Sequence, residues 1–436
     1  MAAPPNLRRA IALSRVTLGA LLWQTSSAEF LSSPDRNDGG IQVREIPTAS
    51  VDSLITPSGR VQRLRSTGAF ARVTAVVWVV VAASAAWLPG SRATRTGRWA
   101  FFPGAPWLGG WVRFDGGWYR SIALHGYSFH PGRSAVAFFP SYPLLMRAVG
   151  VVTGDVLAAG IAITVLSGFI AAMLFERWAS ERVGREAAWA GLVLLLVYPY
   201  AFYLYGAVYS DALFLAAAIG AFALLEHDHP VGAGFVGIIA LAGRPVGIAL
   251  LIGLIVRALE LRHLAVTSPR SRRWRLSGVL IALAGLVGWC GYLWERFGDP
   301  FVFVATERGW HQAPGLRTWL KIKFFEDLVH IHQPAQMLLY LAHPAVTLLA
   351  FALVPMVWRR LGPGYGSYTA VALLIPAVST SNFWSMGRYA LAAFPCFAVA
   401  GALLANRPKA HRLVIMGSAV LLLILSSFYA RGVYVA

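Results

Sequence analysis

Several apolar runs of about twenty residues recur beyond Ala71, and each is long enough to cross the roughly 30 Å hydrocarbon core of a bilayer as a helix. Backbone N–H and C=O groups cannot be left unpaired in hydrocarbon, so a chain that crosses it does so as helices or as a closed barrel. Barrel strands alternate apolar and polar residues, and these runs do not. The expected fold is therefore all-α, a polytopic transmembrane helical bundle. Composition agrees: 57% of the 436 residues are hydrophobic and 13% are charged, where a soluble domain carries roughly 25% charge.

The net charge of +19 could point to nucleic acid, but a nucleic-acid binder gathers its basic residues on one soluble face. Here they sit in short loops between apolar runs, the pattern of topology signals and of contacts with anionic headgroups, so membrane lipids are the expected partners. Cys290 and Cys396 both fall inside apolar runs, where a small hydrophobe is the simple reading, and they form no disulfide framework or metal-binding cluster.

Residues 1–66 mix Arg, Ser, Pro, Asp and Gly around one interrupted apolar stretch, Ala10–Trp23, and read as a disordered cytoplasmic tail; a signal peptide headed by Arg8 and Arg9 is the lesser alternative. The spans expected over 67–436 are Ala71–Leu88, Val156–Phe175, Ala187–Gly206, Val208–Leu225, Leu276–Trp294, Gln336–Trp358, Gly366–Ser379, Tyr389–Ala405 and Leu413–Tyr429. Val231–Leu259 is too long for one untilted span and contains Gly243-Arg244-Pro245. An arginine followed by a proline is costly in hydrocarbon and breaks the helical ladder, so two half-helices meeting at Arg244 are expected. Ala135–Val152 could span or lie at the interface; two prolines and Arg147 favour an interfacial helix. That choice places Arg177, Arg182, Arg185, Arg262–Arg275, Arg359-Arg360 and Arg407–Arg412 on the cytoplasmic side. It leaves large external loops over 89–155 and 295–335. The opposite parity moves Arg177–Arg185 outside.

The first external loop packs Arg113, Asp115, Trp118, Tyr119, Arg120, His125, Tyr127 and His130 beside the membrane. Aromatic faces stack on sugar rings, and a positioned Asp can deprotonate a hydroxyl. An aromatic belt with ordinary ion pairs would look the same. Tyr209, Ser210 and Asp211 stand at an external junction, where helix capping is a sufficient account. Arg244 would offer a forked donor to a phosphate, or pair with a carboxylate such as Asp211. The second loop brings Glu307, Arg308, Trp310, His311, Lys321 and Lys323, and Arg388 opens a span where it could snorkel. No zinc-type His/Glu pair, phosphate-cradling glycine loop or serine elbow occurs, so neither a metal nor a cofactor is assigned.

The ordered set RFDGGWYRSIALHGY, AFFPSYPLL, YSDALF, AGRPVG, FGDPFVF and MGRYALAAFP, from Trp111 to Pro395, resembles the PIG-V family of membrane mannosyltransferases within the GT-C superfamily. The resemblance implies a GT-C type bundle with short interfacial helices in its external loops. It also implies a polyprenyl-phosphate-sugar donor, usually mannose, and inverting transfer to a lipid-linked or cell-envelope glycan acceptor on the extracytoplasmic face. Asp115 corresponds to the family's first-loop acid and would be the general base. Tyr209-Ser210-Asp211 stands where the family has Tyr-Ser-Glu, Phe114-Asp115 replaces Trp-Asp, and Glu307 stands where many members carry Gln. Arg113, Trp118, Tyr119, Arg120, His125, Tyr209, Asp211, Arg244, Glu307, Trp310 and Arg388 are the expected substrate-binding residues. The alternatives are another polyprenyl-linked sugar such as arabinose, or a flippase or transporter of lipid-linked sugars; a transporter would show internal repeats, and none is visible.

Overall fold

A computed structural model describes residues 57–91, 101–102, 104–264, 269–310 and 315–435, with side chains placed at all of these except 57–60, 262–264, 269–273, 307–308 and 334–335. The tail over residues 1–56 lies outside the described residues. Among the latter there is no strand, and the fourteen helices of ten or more residues are α1 (Pro57–Trp87), α2 (Gly116–His125), α3 (Ser141–Thr153), α4 (Val156–Val183), α5 (Arg185–Leu196), α6 (Asp211–Glu226), α7 (Pro230–Leu241), α8 (Gly247–Leu264), α9 (Pro269–Leu280), α10 (Leu283–Phe297), α11 (Pro334–Leu361), α12 (Pro363–Ser379), α13 (Phe394–Leu404) and α14 (Pro408–Ala430). Five segments are long and apolar enough to cross a membrane: Val61–Trp87, Val156–Val183, Trp274–Phe297, Gln336–Leu361 and Pro408–Ala430. The chain is a multi-pass, all-helical membrane protein.

Helix α1 starts at Pro57, so residues 57–66 are not tail but the first turns of the first span. The reason is packing: Gln62 bonds Glu176 and Ser180 of α4, and Arg65 lies 3.8 Å over the ring of Trp189. The expected span Ala187–Gly206 stops at Leu196 instead, because Pro199 disfavours helix at the residue before it and the chain then turns through 198–205. The expected Val208–Leu225 span is the sixteen-residue α6. The stretch expected as Tyr389–Ala405 is broken at Ala393, with Met386–Ala392 and Phe394–Leu404 set at 83°; Pro395 stands in the first turn of α13. The break at Gly243-Arg244-Pro245 is present between α7 and α8. Helix α3, within the ambiguous 135–152 stretch, has thirteen residues and is therefore about 20 Å long, short for a crossing.

Glycines let several helices touch backbone to backbone. A Cβ at Gly401 of α13 would lie 2.3 Å from the Ala187 carbonyl oxygen and 2.4 Å from the Gly191 nitrogen of α5, and one at Gly168 of α4 would lie 2.2 Å from the Leu204 oxygen. Small residues at such crossings are what permit close helix approach in lipid. Helix α6 carries an acid at each end. At its C-terminus Glu226 accepts from Arg257 at 2.6 Å and from the Tyr365 hydroxyl at 3.0 Å and faces Arg182 at 3.0 Å, while Glu260 joins Arg257 at 3.2 Å and accepts the Gly364 N–H at 3.0 Å. This network ties together the ends of α4, α6, α8 and α12. At its N-terminus is Asp211.

Gly401→Ala, which drives a methyl group into the α5 backbone, is expected to lower stability by about 1–3 kcal/mol as overpacking does. Gly417→Ala, where nothing lies within 4 Å of the new Cβ, is the control, and melting of the detergent-solubilised protein reads the difference.

Candidate active site

The loop that follows α1 is pinned before it reaches its acid. Trp111 is fully buried, 5.3 Å from the ring of Trp78, and its carbonyl accepts from the Val208 N–H at 3.1 Å and the Tyr429 hydroxyl at 3.2 Å. Arg113, also buried, donates to the Ala430 carbonyl through Nε (2.9 Å) and Nη2 (2.7 Å) and to Val112 at 3.0 Å. Phe114 then takes φ of +49°, a left-handed conformation that costs a non-glycine residue on the order of 1 kcal/mol, and its ring is held edge-on to Tyr434 at 5.0 Å. These contacts set Asp115 immediately ahead of α2, where the first free N–H groups of a helix favour negative charge. Its own N–H donates to the Tyr209 hydroxyl at 3.2 Å.

The other three charges arrive from three separate places. Asp211 opens α6, Arg244 comes from the α7–α8 break, and Arg388 comes from the short helix Met386–Tyr389. Arg244 Nη1 bonds Asp211 Oδ1, Arg388 Nε stands 3.9 Å from the same oxygen, and Arg388 Nη1 donates to Asp115 Oδ2 at 3.2 Å. The result is an alternating row, Asp115, Arg388, Asp211, Arg244, with no net charge. Tyrosine rings insulate it: the Arg388 guanidinium lies 4.9 Å from the Tyr389 ring, 5.1 Å from Tyr209 and 5.6 Å from Tyr203, and Arg244 lies 5.3 Å from Tyr389. Arg388 Nε is buried without a hydrogen-bond partner among the described residues.

The two acids differ. The Asp211 side chain is 3% exposed and that of Asp115 is 27% exposed, so Asp115 is the one a ligand can reach. Burial pushes the Asp115 carboxyl above the usual carboxylate range; the Arg388 guanidinium opposes the shift without cancelling it. Burial also pushes the Tyr119 phenol up to about 12, and its hydroxyl shares a 3.0 Å hydrogen bond with Ser210.

Of the residues expected at the site, Asp115, Tyr119, Tyr209, Asp211, Arg244 and Arg388 therefore converge. Trp118 and Trp310 form a second group with Phe138: Trp118 stacks on Phe138 at 5.7 Å and 19°, and Trp310 is 6.2 Å from Trp118 and 6.0 Å from Phe138. Arg133 Nε donates to the Gly309 carbonyl at 3.1 Å, tying the first loop to the second. Arg113 is placed otherwise than expected: it bonds the backbone carbonyls of Ala430 and Val112, and burial pushes it down to about 10. It braces the loop instead of facing a ligand. Arg120 lies 5.4 Å from the ring of Phe101, and His125 is exposed at the end of α2, so neither joins the row. The Glu307 side chain falls outside the described ones. Sequence reasoning passed over Tyr203, Tyr389 and Phe138; the run Tyr198–Tyr209, unusually rich in tyrosine for a span, was the available signal.

No protein-family profile matches the chain, and no curated protein matches it in sequence. Among solved structures it is similar to ArnT from Cupriavidus metallidurans bound to undecaprenyl phosphate, with a TM-score of 0.47 and 16% identity over 84% of this chain and 64% of that one. It is also similar to the archaeal oligosaccharyltransferase AglB from Archaeoglobus fulgidus in complex with an inhibitory peptide and a dolichol-phosphate, with a TM-score of 0.41 and 13% identity over 84% of this chain and 56% of that one. The chain thus spans less than two thirds of the length of either, and TM-scores below 0.5 do not define a shared fold.

Asp211→Asn removes the charge that compensates buried Arg244 and is expected to cost about 3–5 kcal/mol, as breaking a buried pair does. Asp115→Asn, at a partly solvated position, is expected to cost well under half of that. Thermal melts of the two purified variants side by side check the order.

Proposed function

We propose that this chain is a membrane glycosyltransferase that moves a sugar, most simply mannose, from a polyprenyl-phosphate-sugar donor to a lipid-linked or cell-envelope glycan acceptor, with inversion at the anomeric carbon. The observation that carries this reading is the pairing of a reachable, proton-avid Asp115 with Arg388, a buried guanidinium whose Nε has no hydrogen-bond partner among the described residues. The resemblance of the six motifs to those of PIG-V mannosyltransferases suggests the donor class.

In this mechanism Asp115 accepts the proton of an acceptor hydroxyl as that oxygen forms its bond to the anomeric carbon. The bond from that carbon to the phosphate oxygen breaks on the opposite face, and the electron pair leaves with polyprenyl phosphate. Little else is required of the protein, because phosphate is a competent leaving group once cations stabilise its developing charge, which is the task of Arg388 and Arg244. Binding of the anionic donor gives each arginine a second acceptor and weakens its hold on its acid, so Asp115 becomes a better base when the donor is seated. Trp118, Phe138 and Trp310 are the platform on which a sugar ring stacks.

The charge pattern supports an extracytoplasmic site. Arg182 near the end of α4 and Arg257 of α8 bond Glu226 at the C-terminus of α6, and Arg275 of α9 bonds Asp228 just beyond it, so basic residues gather at the end of α6 opposite Asp211. Positive loops stay in the cytoplasm. Asp115 belongs to the other end.

Membranes containing the chain, incubated with radiolabelled polyprenyl-phosphate-mannose and lipid acceptors, are expected to form an inverted glycosidic product. Asp115→Asn is expected to lower the rate by roughly 10²–10⁴-fold at normal expression, the range for loss of a general base. A base must be unprotonated, so activity falls as pH drops through the Asp115 pKa. Because that pKa is raised, the acid limb is expected above the ordinary carboxylate range and absent from the residual activity of the Asn variant. Full activity in Asp115→Asn would end the general-base assignment, and transfer from an arabinose donor but not a mannose donor would change the sugar.

A further inference from the structure

Arg388 does not sit on a long helix. It follows a six-residue turn, 380–385, in which Phe383 and Ser385 have φ of +63° and +67°, both in the left-handed region that non-glycine residues adopt only under constraint. That turn leaves the C-terminus of α12, where the last carbonyls of a helix have no partner within it. Lys321, 9% exposed and itself at φ +55°, fills this gap from the second external loop: its ammonium donates to the carbonyls of both Ala377 and Thr380 and lies 5.1 Å from the Phe383 ring. A second tie stands beside it. Asp327 accepts from the Asn382 side-chain amide at 3.0 Å and the Tyr340 hydroxyl at 3.1 Å, and Phe324 packs edge-on to Phe383 at 5.3 Å.

We propose that Lys321 is a positioning residue for Arg388: its ammonium, backed by the Asp327–Asn382 bond, clamps the 380–385 turn in the one conformation that delivers the Arg388 guanidinium to Asp115. The charge of Lys321 is held there at a cost, since burial pushes its pKa down to about 8. Its charged neighbours on the loop are already engaged, Arg317 with Glu326 and Lys323 with Asp327, and neither α12 nor the turn carries an ionisable acid or base of charged type. The ammonium is therefore spent on the two carbonyls, a favourable place for a cation at a helix C-terminus. This inference rests on the reading of Arg388 as the group that holds the donor phosphate, but its test does not require transfer.

The test is carbodiimide labelling of Asp115 in the purified full chain, quantified by mass spectrometry at a fixed, mildly acidic pH. Arg388→Gln is expected to label several-fold faster than the native chain, because the paired guanidinium no longer shields the carboxyl. Lys321→Met, close in shape but uncharged, is expected to move most of the way to that rate, and Lys321→Arg, which keeps a cation within reach of the carbonyls, is expected to label at the native rate. Native-rate labelling in a monodisperse Lys321→Met protein overturns the proposal whatever Arg388→Gln does. If Lys321→Met fails to fold, Asn382→Ala, which removes only the second tie, carries the test: faster labelling supports the clamp and unchanged labelling overturns it. Inactivity toward mannose donors with this labelling pattern intact would count against the transferase reading alone.

Discussion

A guanidinium inside an apolar helical bundle has to meet a negative charge or a set of carbonyls, because leaving it bare costs several kcal/mol. Two arginines of this chain, Arg244 and Arg388, are 8% exposed, and much of the structure follows from where their partners stand. Arg244 sits at a break between two half-helices, where the chain can bring it to Asp211 at the head of α6. Arg388 reaches past the same aspartate to Asp115. The pairing that a conservative reader would offer for Arg244, a structural bond to Asp211, is present, and it does not compete with a functional role. It assembles half of the charged row.

Tyrosine does the remaining work of keeping the row dry. Tyr203, Tyr209 and Tyr389 present ring faces to the guanidinium of Arg388, attractions that strengthen where water is excluded. Tyr198 and Tyr200 fix the short helix that bears it, one by donating to the Gly387 carbonyl at 2.7 Å and the other by a ring so close that a Cβ at Gly387 would lie 2.2 Å from it. Glycine is thus demanded at 387 by contact, and the motif Met386-Gly387-Arg388-Tyr389 has a physical reason for each of its last three members.

The long spans were legible in the sequence because hydropathy and length settle them, and so was the break at Gly243-Arg244-Pro245, where a charge and a proline coincide. The segments 187–206 and 389–405 were not. Their residues are apolar enough to pass for spans, but Pro199 and Pro395 interrupt them and their aromatic side chains pack inward around the site. Asp115, Asp211, Arg244 and Arg388 each stood out alone, as a charge beside a membrane. Apart from the Arg244–Asp211 pair, their meeting did not, since nothing in spacing joins residues so far apart in the chain. Arg113 was expected among the substrate-binding residues, yet its guanidinium is turned to the carbonyl of Ala430. Lys321 stood out only as one charge of the second loop; its positioning part carried no signal, because its partners are backbone carbonyls, to which any sequence contributes equally.

Helix α6 has sixteen residues with an acid in its first turn and another at its end, Asp211 and Glu226, and each anchors a cluster of buried arginines. At 1.5 Å per residue the two clusters are held about 22 Å apart, whereas the hydrocarbon of an ordinary bilayer is about 30 Å deep. With α6 along the bilayer normal, the charged row is sunk beneath the headgroup plane, or the membrane is pinched around the bundle to meet it. On the proposed function, either geometry would let a lipid carrier deliver its phosphate sideways, without being drawn out of its leaflet. The thickness of the host bilayer would then also be a setting for transfer, so that acyl-chain length, which touches no residue of the charged row, would govern how easily a carrier's phosphate comes level with Arg388.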